Sequence, residues 1–343
     1  MRIAIDAMSG DHGAAVAVAA AFEALEHNPQ VSHIIFTGHE QVLAEQIAKL
    51  SQQMPSAADN VGRVSIVHTE HLVDMASKPA DILRQKTRTS MLLALIAVMD
   101  GDADGCVSAG NTGALVGLSR HFVGLLPGIK RPAICAQLPT LRGDSHLLDI
   151  GANVDCSGEQ LHQFARMGAA LAQSLNANSR LRVRALSIGA EAGKGNAAVK
   201  RAVELCERDT GFCFEGLIEA NQLLNGNCDV IVCDGFVGNV ALKACEGTAE
   251  YIRSYALDSS RVAFDAGQQA NDARQNTDTA PNTDTLFNAI DPERFNGACL
   301  LGLKQPVIKS HGASSVTGFT AAIDKAVDVC AGGLLDKLGQ SFS

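Results

Sequence analysis

Gly105-Cys106-Val107-Ser108-Ala109-Gly110-Asn111-Thr112-Gly113-Ala114-Leu115-Val116-Gly117 is the stretch on which the fold turns. Apolar residues lead into a turn of small residues, and a helix-compatible run follows directly, so the segment reads as strand, turn and helix start. Gly110 and Gly113 permit close backbone approach. The first free N–H groups of a helix and its dipole favour an anion. Ser108, Gly110, Asn111, Thr112 and Gly113 are therefore candidate phosphate ligands. The same residues would also serve an ordinary strand-to-helix connection capped by Ser108 or Thr112. The spacing is neither that of a P-loop nor that of a dinucleotide fingerprint.

The pattern repeats in both directions along the chain. Arg2 to Asp6 reads as a buried strand, followed by the polar turn Ala7-Met8-Ser9-Gly10-Asp11-His12-Gly13 and an alanine-rich helix to about Glu26. Asp6, Asp11 and His12 sit where a parallel sheet exposes functional groups, although helix capping would use the same residue types. Further strands are expected at Val31 to Thr37, Val64 to His68, Ala133 to Leu138, Leu147 to Ile150, Arg182 to Ile188, Asp229 to Asp234 and Pro306 to Lys309. Helices are expected near Glu40 to Gln53, Met91 to Met99, Glu159 to Ser174, from about Ala241, and from Thr317 to Val329. Regular alternation predicts right-handed crossovers and a mostly parallel sheet. Turns at one edge of such a sheet should converge on one crevice. Lys194, between Gly193 and Gly195 just ahead of a helix, is a candidate charge donor there or part of a flexible surface loop. His311 follows a strand and suits either a core or a catalytic histidine.

Composition narrows the class. The chain has 343 residues and a net charge of -9, which argues against a general nucleic-acid binder. Its 10 cysteines show no zinc spacing, so reduced, mostly buried thiols and a cytoplasmic location are expected. No signal segment and no membrane-spanning run stands out. Residues 1–343 are expected to form one domain, with a polar insertion at about 254–288, rich in Gln, Asn, Asp and Thr.

The motifs Ile5-Asp6-Ala7-Met8-Ser9-Gly10-Asp11-His12, Val107 to Ala114, Asp149-Ile150-Gly151-Ala152-Asn153, Lys194-Gly195-Asn196, Asp234-Gly235-Phe236-Val237-Gly238-Asn239, Asn296-Gly297-Ala298 and Lys309-Ser310-His311-Gly312 together resemble the bacterial phosphate acyltransferases of phospholipid synthesis. The likeness runs from residue 1 to about 330. It implies a three-layer α/β/α sandwich of the phosphotransacetylase and isocitrate dehydrogenase type, usually a homodimer. It also implies transfer of a fatty acyl group from acyl carrier protein to orthophosphate without metal or cofactor. Catalytic candidates are then Asp6, Asp11, His12, Lys194 and His311, with a histidine moving the proton and an aspartate orienting it. Asn153, Asn196, Asp234, Asn239 and Lys309 become candidate substrate ligands. Basic residues Lys78, Arg84, Lys86, Arg88, Lys130 and Arg131 suit an acidic carrier protein. A coenzyme A-using phosphotransacetylase is the alternative of the same chemistry, and an NAD-dependent dehydrogenase of similar topology the alternative of another. Family members usually have glycine at the position of Ser9, and an acidic residue with a preceding Asn where this chain has Ala190 and Ser187. Most also have a hydrophobic or basic helical pair linked to peripheral membrane association, and here Ser254 to Asn288 is polar.

Overall fold

A computed structural model describes residues 1–74, 76–77, 81–82, 84, 87–175, 181–268 and 291–342. Eleven strands form one sheet: β1 (Arg2–Asp6), β2 (His33–Gly38), β3 (Val64–His68), β4 (Gly105–Ser108), β5 (Ala133–Thr140), β6 (Gly143–Leu148), β7 (Arg182–Leu186), β8 (Cys213–Ile218), β9 (Val230–Val232), β10 (Ala298–Leu301) and β11 (Val307–Lys309). The helices are α1 (Gly13–His27), α2 (Glu40–Gln53), α3 (Pro55–Asn60), α4 (Ser90–Met99), α5 (Thr112–Leu118), α6 (Gly158–Leu175), α7 (Ala197–Cys206), α8 (Gly235–Gln268), α9 (Val316–Ala331) and α10 (Leu334–Phe342).

The strand order is β3-β2-β1-β4-β11-β10-β5-β6-β9-β7-β8. Neighbours run parallel except where β10 meets β11 and β5 and where β5 meets β6. The hairpin β5–β6 therefore reverses the sheet: β6, β9, β7 and β8 run against β1, β4 and β11. Successive strand residues alternate between faces, the two-residue period of a pleated strand. Ile3, Ile5, Val107 and Ile308 join the core that also holds α1, α6 and α9, while Ala4, Cys106 and Val307 join the core beneath α4 and α5. Because both faces are covered, the central strands are continuous apolar runs. This is the expected three-layer sandwich with a mostly parallel sheet.

Local signals set the helix starts. Thr89, Asn111, Asn196 and Ser315 each accept a hydrogen bond from a first-turn N–H, at α4, α5, α7 and α9 respectively. Helix α8 departs from expectation, since it starts at Gly235 and continues through Ser254 to Gln268. The remainder of the expected polar insertion, residues 269–288, lies outside the described residues. Between α2 and β3 the chain forms the short helix α3, with Pro55 in its first turn. No helix among the described residues is long and apolar enough to cross a membrane.

Two glycines of α8 should respond oppositely to alanine. A Cβ at Gly238 would lie 1.9 Å from the backbone oxygen of Asp149 and 2.8 Å from Cys233 Sγ, whereas one at Gly247 would meet nothing within 4 Å. Gly238→Ala should destabilise by several kcal/mol, on the order of a core overpacking defect. Gly247→Ala should stabilise by about 0.5–1 kcal/mol through helix propensity. Urea unfolding of both variants against wild type checks the pair, and equal effects would contradict this packing.

Candidate active site

Parallel register builds the site. Asp6 pairs with Ser108 across β1 and β4, and Ser108 pairs with Lys309 across β4 and β11, so three polar residues form one row at adjacent strand ends. Ser108 Oγ donates to Asp6 Oδ2 at 2.7 Å and accepts from Gly110 N at 3.1 Å. Both residues are buried, Asp6 at 1% exposure and Ser108 at 0%. Burial pushes the Asp6 carboxyl above its ordinary value, against hydrogen bonds from serines that pull it down. Among the described residues its Oδ1 has no hydrogen-bond partner. Ser9 extends the network, donating to Asp6 O at 3.1 Å and accepting from Ala109 N at 3.2 Å. The serine at this position is thus a working part of the turn.

Lys309 Nζ donates to Ala109 O at 3.3 Å and to Ser310 O. Burial lowers its ammonium pKa to about 8, with Lys243 adding repulsion and Asp6 opposing the shift. The following turn is clamped by Asn296, whose Oδ1 accepts from His311 N at 2.9 Å and whose Nδ2 donates to Ser310 Oγ, Ser314 Oγ and Gly318 O. His311 Nδ1 accepts from Ala313 N at 3.3 Å. In a neutral imidazole this leaves Nε2 carrying the proton. Lys243 Nζ, from α8, stands 3.3 Å from that Nε2. Two donors therefore face the same point, and a shared acceptor placed there satisfies both. Burial and Lys243 hold the His311 pKa below its ordinary value, so the ring stays neutral near pH 7. His12 and His311 line one narrow cleft with Ser9, Gly10, Ala109 and Gly312. Asp11 N donates to Gly312 O at 2.8 Å, fastening the two turns together.

The other sequence candidates sit elsewhere or do other work. Asp6 is bound to Ser108 rather than to a histidine. Asn111 caps α5 through Ala114 N and also donates to Ser77 O at 3.3 Å. Thr112 and the exposed Gly113 form the first residues of α5. Asn153 is 4% exposed and binds Asp149 Oδ2 through its N–H and its amide, at 2.6 and 2.9 Å. Asp149 also accepts from Ile134 N and Ala152 N, so this pair shapes the turn after β6. Asp234 caps α8 through Val237 N, and Asn196 caps α7 through Val199 N. Lys194 is exposed in the loop after β7, on a strand separated from β4 by β11, β10, β5, β6 and β9. Asn239 is exposed on α8, one helical turn before Lys243. Lys243 escaped the sequence reading, and its only signal was that i, i+4 relation to Asn239, which puts both on one helix face. Among the described residues no group of three or more His, Cys, Asp or Glu is arranged to hold a metal ion.

The architecture is that of phosphotransacetylase-like α/β proteins. A phosphotransacetylase from Streptococcus pyogenes superposes with a TM-score of 0.61 at 16% identity, covering 96% of this chain and 94% of that one. A 4-hydroxythreonine-4-phosphate dehydrogenase from Klebsiella pneumoniae reaches 0.54 at 11% identity, over 96% and 98% of the two chains, so the fold alone does not select a chemistry. Sequence does: the chain belongs to the phosphate acyltransferase family and is an acyltransferase. The family model described as "Fatty acid synthesis protein" matches residues 1–336. The phosphate acyltransferase of Halorhodospira halophila is 44% identical over 330 residues, 95% of this chain and 92% of that one.

The depressed Lys309 pKa has a consequence for stability. Between about 8 and the ordinary lysine value near 10.4, the unfolded chain holds a proton that the folded chain has released, so this residue makes stability rise with pH in that window. Lys309→Met should remove the rise. The difference between wild type and variant in denaturant unfolding should change by on the order of 1–2 kcal/mol between about pH 7 and about pH 9.5. A constant difference would mean that Lys309 titrates normally.

Proposed function

We propose that the chain transfers a fatty acyl group from acyl carrier protein to orthophosphate, giving acyl phosphate for glycerolipid synthesis. The observation that carries this reading is the meeting of the Lys243 and Lys309 ammonium groups, which repel one another, beside the neutral His311, whose Nε2 faces the same point as Lys243 Nζ. An anion between them relieves the repulsion. Family membership makes that anion phosphate. A phosphate oxygen attacks the thioester carbonyl, and the ammonium groups hold the nucleophile and the oxyanion close together. Collapse breaks the carbon–sulfur bond, and His12 at the cleft wall takes the proton released by the attacking hydrogen phosphate and passes it to the departing thiolate. Asp6 and Ser108 position the turn that carries Gly110 to Gly113.

Attack is direct rather than through an acyl-enzyme. Ser108 Oγ is buried and committed to Asp6. Cys106 is fully buried, and burial together with the Asp6 charge pushes its thiol well above the ordinary value, which removes the reactive thiolate.

We assign carrier docking to Arg84, whose side chain is 82% exposed, with the exposed Arg88, Lys130 and Arg131. Lys78 and Lys86 lie outside the described residues. The deciding experiment mixes the protein with long-chain acyl carrier protein and orthophosphate and traps acyl phosphate with hydroxylamine. Lys309→Ala and Lys243→Ala should each lose about tenfold to a thousandfold in rate, as for a lost electrostatic stabiliser. Lys194→Ala should stay near wild type, and the opposite ranking would relocate the phosphate site. Arg84→Glu with Arg88→Glu should raise the Michaelis constant for the carrier, more so at low salt, and leave phosphate dependence unchanged. Equal turnover of acyl-coenzyme A would favour the phosphotransacetylase-like alternative.

We further propose a cytoplasmic homodimer joined along α8. Phe236, Val240, Tyr251 and Tyr255 are exposed and fall on one stripe of that helix at i, i+4 and i, i+11 spacings. Light scattering should give twice the chain mass, and Tyr251→Lys with Tyr255→Lys should halve it. A monomeric wild type would refute the assembly.

A further inference from the structure

We propose that the cavity between the C-terminal ends of α6 and α9 binds a small polyhydroxylated molecule carrying an ammonium group. The cavity has a volume of about 440 Å³ and is lined by Gln137, Asp144, His146, Ser174, Lys325 and Asp328 among others. That volume lies within the range of small-molecule sites, about 300–1,000 Å³. The cavity shares no residue with the site described above.

Its floor is the β5–β6 hairpin. Gln137 and His146 are register partners, so their side chains share a face of the hairpin, and Asp144 lies two residues away on that face. Gln137 organises the charged groups: its Nε2 donates to Asp144 Oδ2 at 2.7 Å, and its Oε1 accepts from Lys325. His146 is only 3% exposed and lines the cavity, and among the described residues neither ring nitrogen has a hydrogen-bond partner of good geometry, although the Asp229 backbone lies close enough to act on the ring. A neutral imidazole requires one donor and one acceptor. A ligand hydroxyl supplies either role, and burial with the nearby Lys325 charge keeps this ring neutral, at a pKa of about 4.

The charge balance selects a cation. Among the described residues, Lys325 is the single ammonium group of the lining, against the carboxylates of Asp144 and Asp328. The helices α6 and α9 also end at the cavity with no basic residue in their last turns, so the negative ends of both dipoles face it. Gly332 brings those ends together, since a Cβ on it would lie 2.6 Å from Ser174 O. Burial pushes the Asp328 carboxyl upward, the nearby Lys325 ammonium opposes the shift, and Asp324 adds a smaller push. A ligand ammonium meets Asp328 and the helix ends, and its hydroxyls meet His146 and Ser174. A phosphate would face repulsion from the same groups.

Glucosamine and glucose form a matched pair of probes, differing in the ammonium group. In the full-length protein at neutral pH, glucosamine should shift the His146 ring resonances saturably and raise the melting temperature, while glucose should do so at least tenfold more weakly. Asp328→Asn should weaken the glucosamine response tenfold or more, and His146→Phe should abolish it, with acyl transfer unchanged in Asp328→Asn. If His146→Phe does not fold, Asp328→Asn carries the test. No saturable shift, equal responses to the two sugars, an unaltered response in Asp328→Asn, or the same perturbation by magnesium chloride would each overturn the proposal.

Discussion

The buried carboxylate of Asp6 is the constraint on which the candidate site of this protein depends. A carboxylate removed from water needs donors around it, and here they come from the neighbouring strand and its own turn, through Ser108 and Ser9. Meeting that need fixes β1 against β4 in one register. The same register places Lys309 beside Ser108 from β11. A lysine so buried would lose its proton more readily still without Asp6 opposite it. One electrostatic requirement therefore holds three strands in alignment and keeps an ammonium group inside the crevice.

Much of this was legible in the sequence because it rests on short-range pattern. The apolar runs Ile3 to Ile5 and Val64 to Val67 give their strands directly, and Glu40 to Gln53 gives its helix to the residue. Asp6, Ser108, Lys309 and His311 were legible as strand-end polar groups. What local pattern does not carry is strand direction. The reversal at β5–β6 separates turns that look equivalent in the sequence, so Lys194 and Asn196 follow a distant strand, β7, while Lys243 reaches His311 from a helix interior. Asn153, Asn196 and Asp234 were ambiguous for a related reason, since the groups that bind a ligand at a turn are also those that satisfy its backbone. Here the backbone takes Asn196 and Asp234 as helix caps and holds Asn153 against Asp149. The sequence reading does not include the strand Cys213–Ile218 or the helix Leu334–Phe342, both of them short.

Fold and family speak at different levels. The sandwich is shared with a dehydrogenase and a phosphotransacetylase at low identity, so the scaffold supplies a crevice and leaves its chemistry open. The chemistry resides in what lines the crevice. In this chain the lining is basic and hydroxylic, and Cys106 and Cys299 are buried in the core with raised thiol pKa values, which keeps these two thiols out of the chemistry.

The clasp between the turn at Gly10 and the turn at Gly312 has a consequence for biosynthesis. Asp11 N reaches Gly312 O, and no side chain larger than hydrogen fits at Gly10, where a Cβ would lie 2.9 Å from that oxygen. Strand β1 must therefore wait for β11, which follows it far along the chain, before its edge is complete. Contacts of such sequence separation close slowly, and β1 with β4 presents an open edge until β11 inserts. A nascent chain that has not yet yielded β11 lacks one wall of the crevice. Its exposed edge during that interval is the hazard that cellular folding machinery has to cover.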